Sequence, residues 1–337
     1  MARWRKALKG VGVAVGVVAL AGGGAVAWAA SAADATLSRP EEPLPALVAS
    51  RDPAVIARGE YLARGPAHCA ICHTGSDRDH PEEVAKTPFR GGLAFEMGPL
   101  GTRYAPNLTP DPETGIGRWT DAQLARTLRT GVTPSGELSI FMTYSVGYLS
   151  DDDIVAILSY LRSLEPVRHE VPKGEWSVVA RSLMGFGAFR VAPRRAPPPV
   201  HVPPAEQPTV ERGRYLAEHA AFCAGCHTPS DPATFQASGP AFSGGNVEPS
   251  HGKDSDFEYA PPNLTSAPSG YVGRVDEDAF VQRMRAGRTH LTSIMPWECY
   301  AIMTDADLKS IYRFLRSVPP ATKDTGPPYR KIGSFAP

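Results

Sequence analysis

Two pentapeptides, Cys69-Ala70-Ile71-Cys72-His73 and Cys223-Ala224-Gly225-Cys226-His227, lie 154 residues apart. On one turn of helix, residues i and i+3 share a face and i+4 sits beside them. Two thiols so placed reach both vinyl groups of one porphyrin, and the following imidazole points at its iron; C-x-x-C-H reads as a c-type haem attachment site. From this chain's own Cys and His frequencies, one match arises by chance on the order of 10⁻³ times. Two matches predict two covalently bound haem c groups. They are held through Cys69, Cys72, Cys223 and Cys226, with His73 and His227 on the irons.

An iron with one axial imidazole takes a further ligand or stays open for chemistry. Ile294-Met295-Pro296-Trp297 follows the second motif, and Ile140-Phe141-Met142-Thr143-Tyr144 occupies the same place after the first. A thioether is a soft neutral ligand that raises a haem's reduction potential. Met142 and Met295, at matching distances from their histidines, are therefore the expected sixth ligands. Thr143 stands where Pro296 would stiffen the loop. Met97, Met184 and Met303 have no partner in the repeat and read as packing residues. Asn107 and Asn263 occupy paired Pro-Asn-Leu-Thr segments and are candidate haem-binding residues. Their amides either donate to propionates or fix the loop under the porphyrin; the other reading is a simple turn-forming asparagine. His68 and His219, just ahead of the motifs, are expected at the surface.

The elements that must position these groups repeat as well. Arg58-Gly59-Glu60-Tyr61-Leu62-Ala63 matches Arg212-Gly213-Arg214-Tyr215-Leu216-Ala217, and Tyr160-Leu161-Arg162-Ser163-Leu164 matches Phe314-Leu315-Arg316-Ser317-Val318. Each copy predicts three helices. The first covers about 53–66 or 206–220, with Gly59 or Gly213 inside it at roughly 1 kcal/mol relative to alanine. That repeated cost suggests a second helix crossing closely there. The second starts at Thr120, with Gln123 completing a capping box, or at Asp276. The last starts at Ser150 or Thr304 and carries matching apolar stripes, Ile154, Ile157, Leu158, Leu161 and Leu308, Ile311, Tyr312, Leu315. No run alternates like a strand. The expectation is an all-α protein with two tandem domains, 51–170 and 206–320, joined by a Pro-rich linker at 171–205. Within the linker, 176–189 is apolar enough to pack on a domain. Its basic residues suit an acidic domain or an anionic membrane surface; the other reading is a solvated connector.

The 337 residues carry no formal net charge, so no steering towards nucleic acid is indicated. Four of the five cysteines belong to the motifs; Cys299 has no partner for a disulfide and reads as a small buried residue. Residues 1–33 form a targeting segment: Arg3, Arg5, Lys6 and Lys9 precede an uncharged stretch at 10–33. As a helix this stretch measures roughly 36 Å, enough to span a bilayer, and its basic flank predicts export of the remainder. The other reading is a cleaved signal peptide, with an apolar run at 11–20 and Ala30-Ser31-Ala32 as the cleavage site. Either way the haem domains lie on the periplasmic side of the inner membrane.

Taken together, these motifs resemble the class I cytochrome c superfamily. More narrowly, the chain is similar to cytochrome c subunits of membrane-bound alcohol, aldehyde and gluconate dehydrogenases. The residues are Ala105-Pro106-Asn107-Leu108-Thr109-Pro110-Asp111, Thr114-Gly115-Ile116-Gly117-Arg118-Trp119, Leu149-Ser150-Asp151-Asp152-Asp153-Ile154 and Met295-Pro296-Trp297. It departs from that pattern in having two haem motifs where those subunits commonly have three. The resemblance implies a small helical fold around each haem. It also implies electron transfer from a periplasmic dehydrogenase to an oxidase or quinone-linked acceptor of the respiratory chain. The expected protein is a dihaem electron carrier, not an enzyme. The alternative is a dihaem enzyme, peroxidase-like or thiosulfate-oxidising, with one open iron, the weaker loop around Met142 making the first haem the suspect.

Overall fold

The computed structural model describes residues 2–75, 84, 86–144, 148–188, 207–232, 234, 236–250, 255–290 and 293–335. Arg190, Arg194, Arg195 and the proline runs of the linker fall outside these residues. The chain opens with α1 (Ala2–Leu37). The first half follows with α2 (Pro53–Arg64), α3 (Cys69–His73), α4 (Asp121–Thr130), α5 (Ile140–Tyr144) and α6 (Asp151–Ser163). A further helix, α7 (Val178–Gly185), lies in the linker. The second half holds α8 (Val210–Tyr215), α9 (Cys223–His227), α10 (Tyr271–Arg274), α11 (Glu277–Arg285), α12 (Trp297–Ala301) and α13 (Asp305–Ser317).

The two glycines decide the architecture of each half. A Cβ on Gly59 would lie 1.9 Å from the Ala156 carbonyl oxygen, and one on Gly213 would lie 1.9 Å from that of Ser310. Backbone therefore touches backbone where α2 crosses α6 and where α8 crosses α13, as the repeated helix cost suggests. The predicted caps form: Ser150 and Thr304 accept from the Asp153 and Asp307 amides at 3.2 Å, and Thr120 and Gln123 close their capping box. Both apolar stripes pack inwards, Tyr312 only in part, into one cluster that continues through both halves. In the second copy the first helix is not uniform: a π-helical turn at Leu216–Ala220 follows α8 and leads to the haem motif.

Helices form the core, but the molecule is not purely helical. Strands β1 (Ala94–Glu96), β2 (Gly101–Tyr104) and β3 (Glu175–Trp176) make one antiparallel sheet. A second consists of β4 (Glu248–Pro249), β5 (Phe257–Tyr259) and β6 (Tyr329–Lys331). Two to four residues are too few for alternation to register in a sequence. The outer strands β3 and β6 occupy corresponding places beyond residues 170 and 320, so the structural repeat runs further than the sequence repeat.

The halves meet through reciprocal contacts. Tyr61 donates to Asp307 Oδ2 at 2.6 Å and accepts from the Thr304 amide at 3.2 Å. Tyr215 donates to Asp153 Oδ2 at 2.6 Å and accepts from the Ser150 amide at 3.1 Å. Each aspartate also pairs within its own half, with Arg58 or Arg212, both at 2.9 Å. Burial first, then the charge of the opposing aspartate, holds both phenols well above their usual value. An unfolded tyrosine ionises near pH 10. The phenols therefore contribute stability that is complete below about pH 10 and is lost as pH rises through their folded values. We expect the denaturation midpoint of the wild type to fall more steeply than that of Y61F/Y215F between about pH 10 and 12. Parallel declines would remove these phenols from the interface energetics.

Candidate functional site

Both C-x-x-C-H motifs start from a strained residue. His68 has φ 42° and Phe222 φ 49°, left-handed values that non-glycine residues rarely adopt. They turn the chain sharply so that α3 and α9 start at the first cysteine. The Nδ1 of His73 lies 2.9 Å from the Pro106 carbonyl oxygen, and that of His227 lies 2.9 Å from that of Pro262. A carbonyl only accepts, so Nδ1 carries the proton and Nε2 keeps its lone pair. Burial lowers the pKa of both imidazoles, which keeps them neutral and fit for a metal.

Asn107 and Asn263 stand directly after those carbonyls and are almost fully buried. The Asn107 amide donates to Val167 O at 2.8 Å and Thr114 Oγ1 at 3.1 Å, and its oxygen accepts from the Thr109 amide at 2.9 Å. The Asn263 amide donates to Ala321 O at 2.7 Å and Lys323 O at 3.1 Å, and its oxygen accepts from the Thr265 amide at 2.8 Å. All four amide protons are engaged by the chain itself. Of the two uses expected for these residues, the bonds are those of a loop clamp, with no amide proton left over for a propionate. The clamp fixes the proline carbonyl, and the carbonyl fixes the imidazole.

In the second half, His227 and Met295 both line a cavity of about 310 Å³, together with Cys223, Leu264 and Trp297. Imidazole, thiol and thioether lining one largely apolar cavity suit an iron porphyrin. Arg288 holds the methionine loop: it pairs with Glu298 at 2.8 Å, donates to Met295 O at 3.2 Å and also to Ser293 O. Arg274 and Arg283 line the same cavity, and no carboxylate does among the described residues. The Arg283 guanidinium lies 3.6 Å from the centroid of Trp297, and burial lowers its pKa. Two cations in an apolar recess are what a pair of haem carboxylates would neutralise. Gly273-Arg274 matches Gly117-Arg118 of the first copy, whereas Arg283 stands where that copy has Thr127. Met142 sits half-buried in α5 and packs against the core, and its amide donates to Ser139 Oγ at 3.4 Å.

The helix between the two motifs is α12. Cys299 is buried, and its thiol is raised by burial first and then by Cys69, with Glu298 and Cys72 adding to it, while the Ile71 amide opposes the shift. A residue of the second half therefore packs directly on the first motif. Next to it, Tyr300 donates to Ala221 O at 2.7 Å and meets His68 edge-on, with centroids 6.2 Å apart. His219 meets Tyr148 edge-on at 5.7 Å. The two histidines expected at the surface thus lie half-buried at the junction of the halves, because docking covers them.

The cytochrome c family profile matches residues 56–165. The chain is 31% identical over 214 residues to a dihaem c-type cytochrome of Cereibacter sphaeroides, covering 62% of this chain and 69% of that protein. It is 30% identical to the cytochrome c subunit of a quinone alcohol dehydrogenase from Gluconobacter oxydans, over 82% of this chain and 57% of the relative. It is 29% identical to the fructose dehydrogenase cytochrome subunit of Gluconobacter japonicus, over 84% of this chain and 56% of the relative. The chain spans a little over half the length of these two subunits. It belongs to the cytochrome c family, whose members carry covalently bound haem c.

Proposed function

We infer that this chain is a dihaem electron carrier with a closed iron site in each of two domains, 51–170 and 206–320. Cys69, Cys72 and His73 hold one haem with Met142 as sixth ligand; Cys223, Cys226 and His227 hold the other with Met295. Arg274 and Arg283 neutralise the propionates of the second haem. Haem supplies one-electron exchange, and the protein tunes it through ligand choice and burial. The chain's own residues fix the imidazole tautomers through Pro106 and Pro262, lock those loops through Asn107 and Asn263, and exclude water with apolar walls. The observation that carries this reading is the single cavity lined by both His227 and Met295.

The donor is a dehydrogenase on the periplasmic side and the acceptor an oxidase or quinone-linked protein of the respiratory chain. The subunit names of the relatives support the dehydrogenase as partner. The helix α1 is long and apolar enough to cross a membrane by length and composition, and it anchors the exported domains.

The test is intact-mass measurement and the visible spectrum of the purified oxidised protein. Two covalent haems, both low-spin with methionine–iron charge-transfer absorption, are expected. One haem, or a high-spin component that shifts with cyanide or peroxide, overturns the carrier reading in favour of an enzyme.

A further inference from the structure

Among the described residues, the linker helix α7 buries its inner face in a cluster separate from the core around the C-x-x-C-H motifs. It packs on α1, so closely that a Cβ on Gly185 would lie 1.9 Å from the Ala29 carbonyl oxygen. Ala33 and Leu37 of α1 join Ala180 and Met184 of α7 in a second core with Val132, Leu138 and Ile140. Arg181 pairs with Asp34 across the contact. Strand β3 ties the start of α7 to the first half, and Ser177 donates to Pro99 O at 2.6 Å.

That packing sorts the residues of both helices. One face of α7 is buried, while Val178, Val179, Leu183 and Phe186 are left exposed. On α1, Val15, Val17, Val18, Leu20, Val26 and Trp28 are exposed, whereas Ala29 and Ala33 are fully covered. The two exposed sets adjoin: the Trp28 and Phe186 rings lie 6.2 Å apart. The protein-covered end of α1 cannot face lipid, so the segment available to a bilayer runs from about residue 10 to Trp28. Nineteen residues of helix measure roughly 28 Å, close to the hydrocarbon thickness. Trp28 then falls at the boundary, where aromatic side chains concentrate. The apolar face of α7 lies at that same depth.

We propose that α7 is an interfacial helix, its Val178, Val179, Leu183 and Phe186 seated in the outer edge of the bilayer beside the spanning segment of α1. A single span leaves the domains free to swivel. A second contact, continuous with the first, holds the first half at a fixed orientation to the membrane. Ile140 belongs to the shared core and Met142 follows two residues on, so the ligand-bearing segment is part of the same rigid unit. The proposal rests on α1 being retained. Cleavage at Ala30-Ser31-Ala32 would remove Ala29 and uncover the inner face of α7.

The experiment uses the full-length holoprotein in phosphatidylcholine–phosphatidylglycerol bilayers, with the haems reduced to their diamagnetic state. Nitroxides are attached at Val179→Cys, Leu183→Cys and Phe186→Cys, and at Asp278→Cys in the second half as the water-exposed reference. We expect relaxation by oxygen to dominate at the three α7 sites and relaxation by a water-soluble nickel complex to dominate at the reference. Nickel dominance at all four sites overturns the proposal. So does shielding from both reagents at α7, which would mean that a second copy or another protein covers the face. Intact mass separates the premise from the proposal, since a chain lacking its first 30–32 residues refutes the anchor itself.

Discussion

Asp307→Ala is expected to destabilise the protein by about 3–5 kcal/mol, the cost of leaving a buried charge without its partner. The Arg212 side chain is 2% exposed and Asp307 5%, so water cannot replace the lost carboxylate. The same substitution strips Tyr61 of its acceptor and so loosens the docking of the halves. Asp307→Asn keeps an oxygen for Tyr61 while removing the charge, and it should recover part of the loss. The mirror variant, Asp153→Ala, should cost less, because Arg58 is 17% exposed and can be solvated. Denaturant unfolding of the holoprotein measures all three. An Asp307→Ala midpoint within about 0.5 kcal/mol of wild type would show that the network carries no net stability.

Met295→Ala should open the second iron without dismantling its loop. The loop is held by the Arg288–Glu298 pair and by the Trp297 indole, which donates to Ser293 Oγ at 3.2 Å. Removing the thioether takes away the ligand that favours ferrous iron, so the potential of the second haem should fall by on the order of 0.1 V. The reduced protein should then bind carbon monoxide at one centre. Met303 lines the same cavity and is fully buried, which makes Met303→Leu the control: a packing change with the spectrum retained. Redox titration and carbon monoxide difference spectra are the readouts. Unchanged potentials in Met295→Ala would refute the ligand assignment.

How much of this was readable beforehand depends on the range of each interaction. The haem motifs, capping residues and apolar stripes are local patterns whose spacing follows helix geometry, and the structure keeps them. Gly59 and Gly213 were informative because an unfavourable residue recurred at the same place in each copy. Asn107 and Asn263 were recognised as paired, but their use turned on Val167, Ala321 and Lys323, which are about sixty residues away. The short sheets escaped notice because their outer strands come from the linker and the chain end. Arg283 and Arg288 stand where the first copy has Thr127 and Val132, so the repeat does not mark them, and Arg274, which matches Arg118, lines the cavity only through the tertiary fold.

The sequence by itself determined what is local: two C-x-x-C-H turns, the helices that present them, and an apolar stretch behind a basic flank. Tertiary structure decided how those parts meet. The Tyr61–Asp307 and Tyr215–Asp153 contacts join residues 246 and 62 positions apart, and α7 finds α1 across about 150. No helical or strand period reaches over such separations. Complementary surfaces choose those partners, and they exist only once each half has folded.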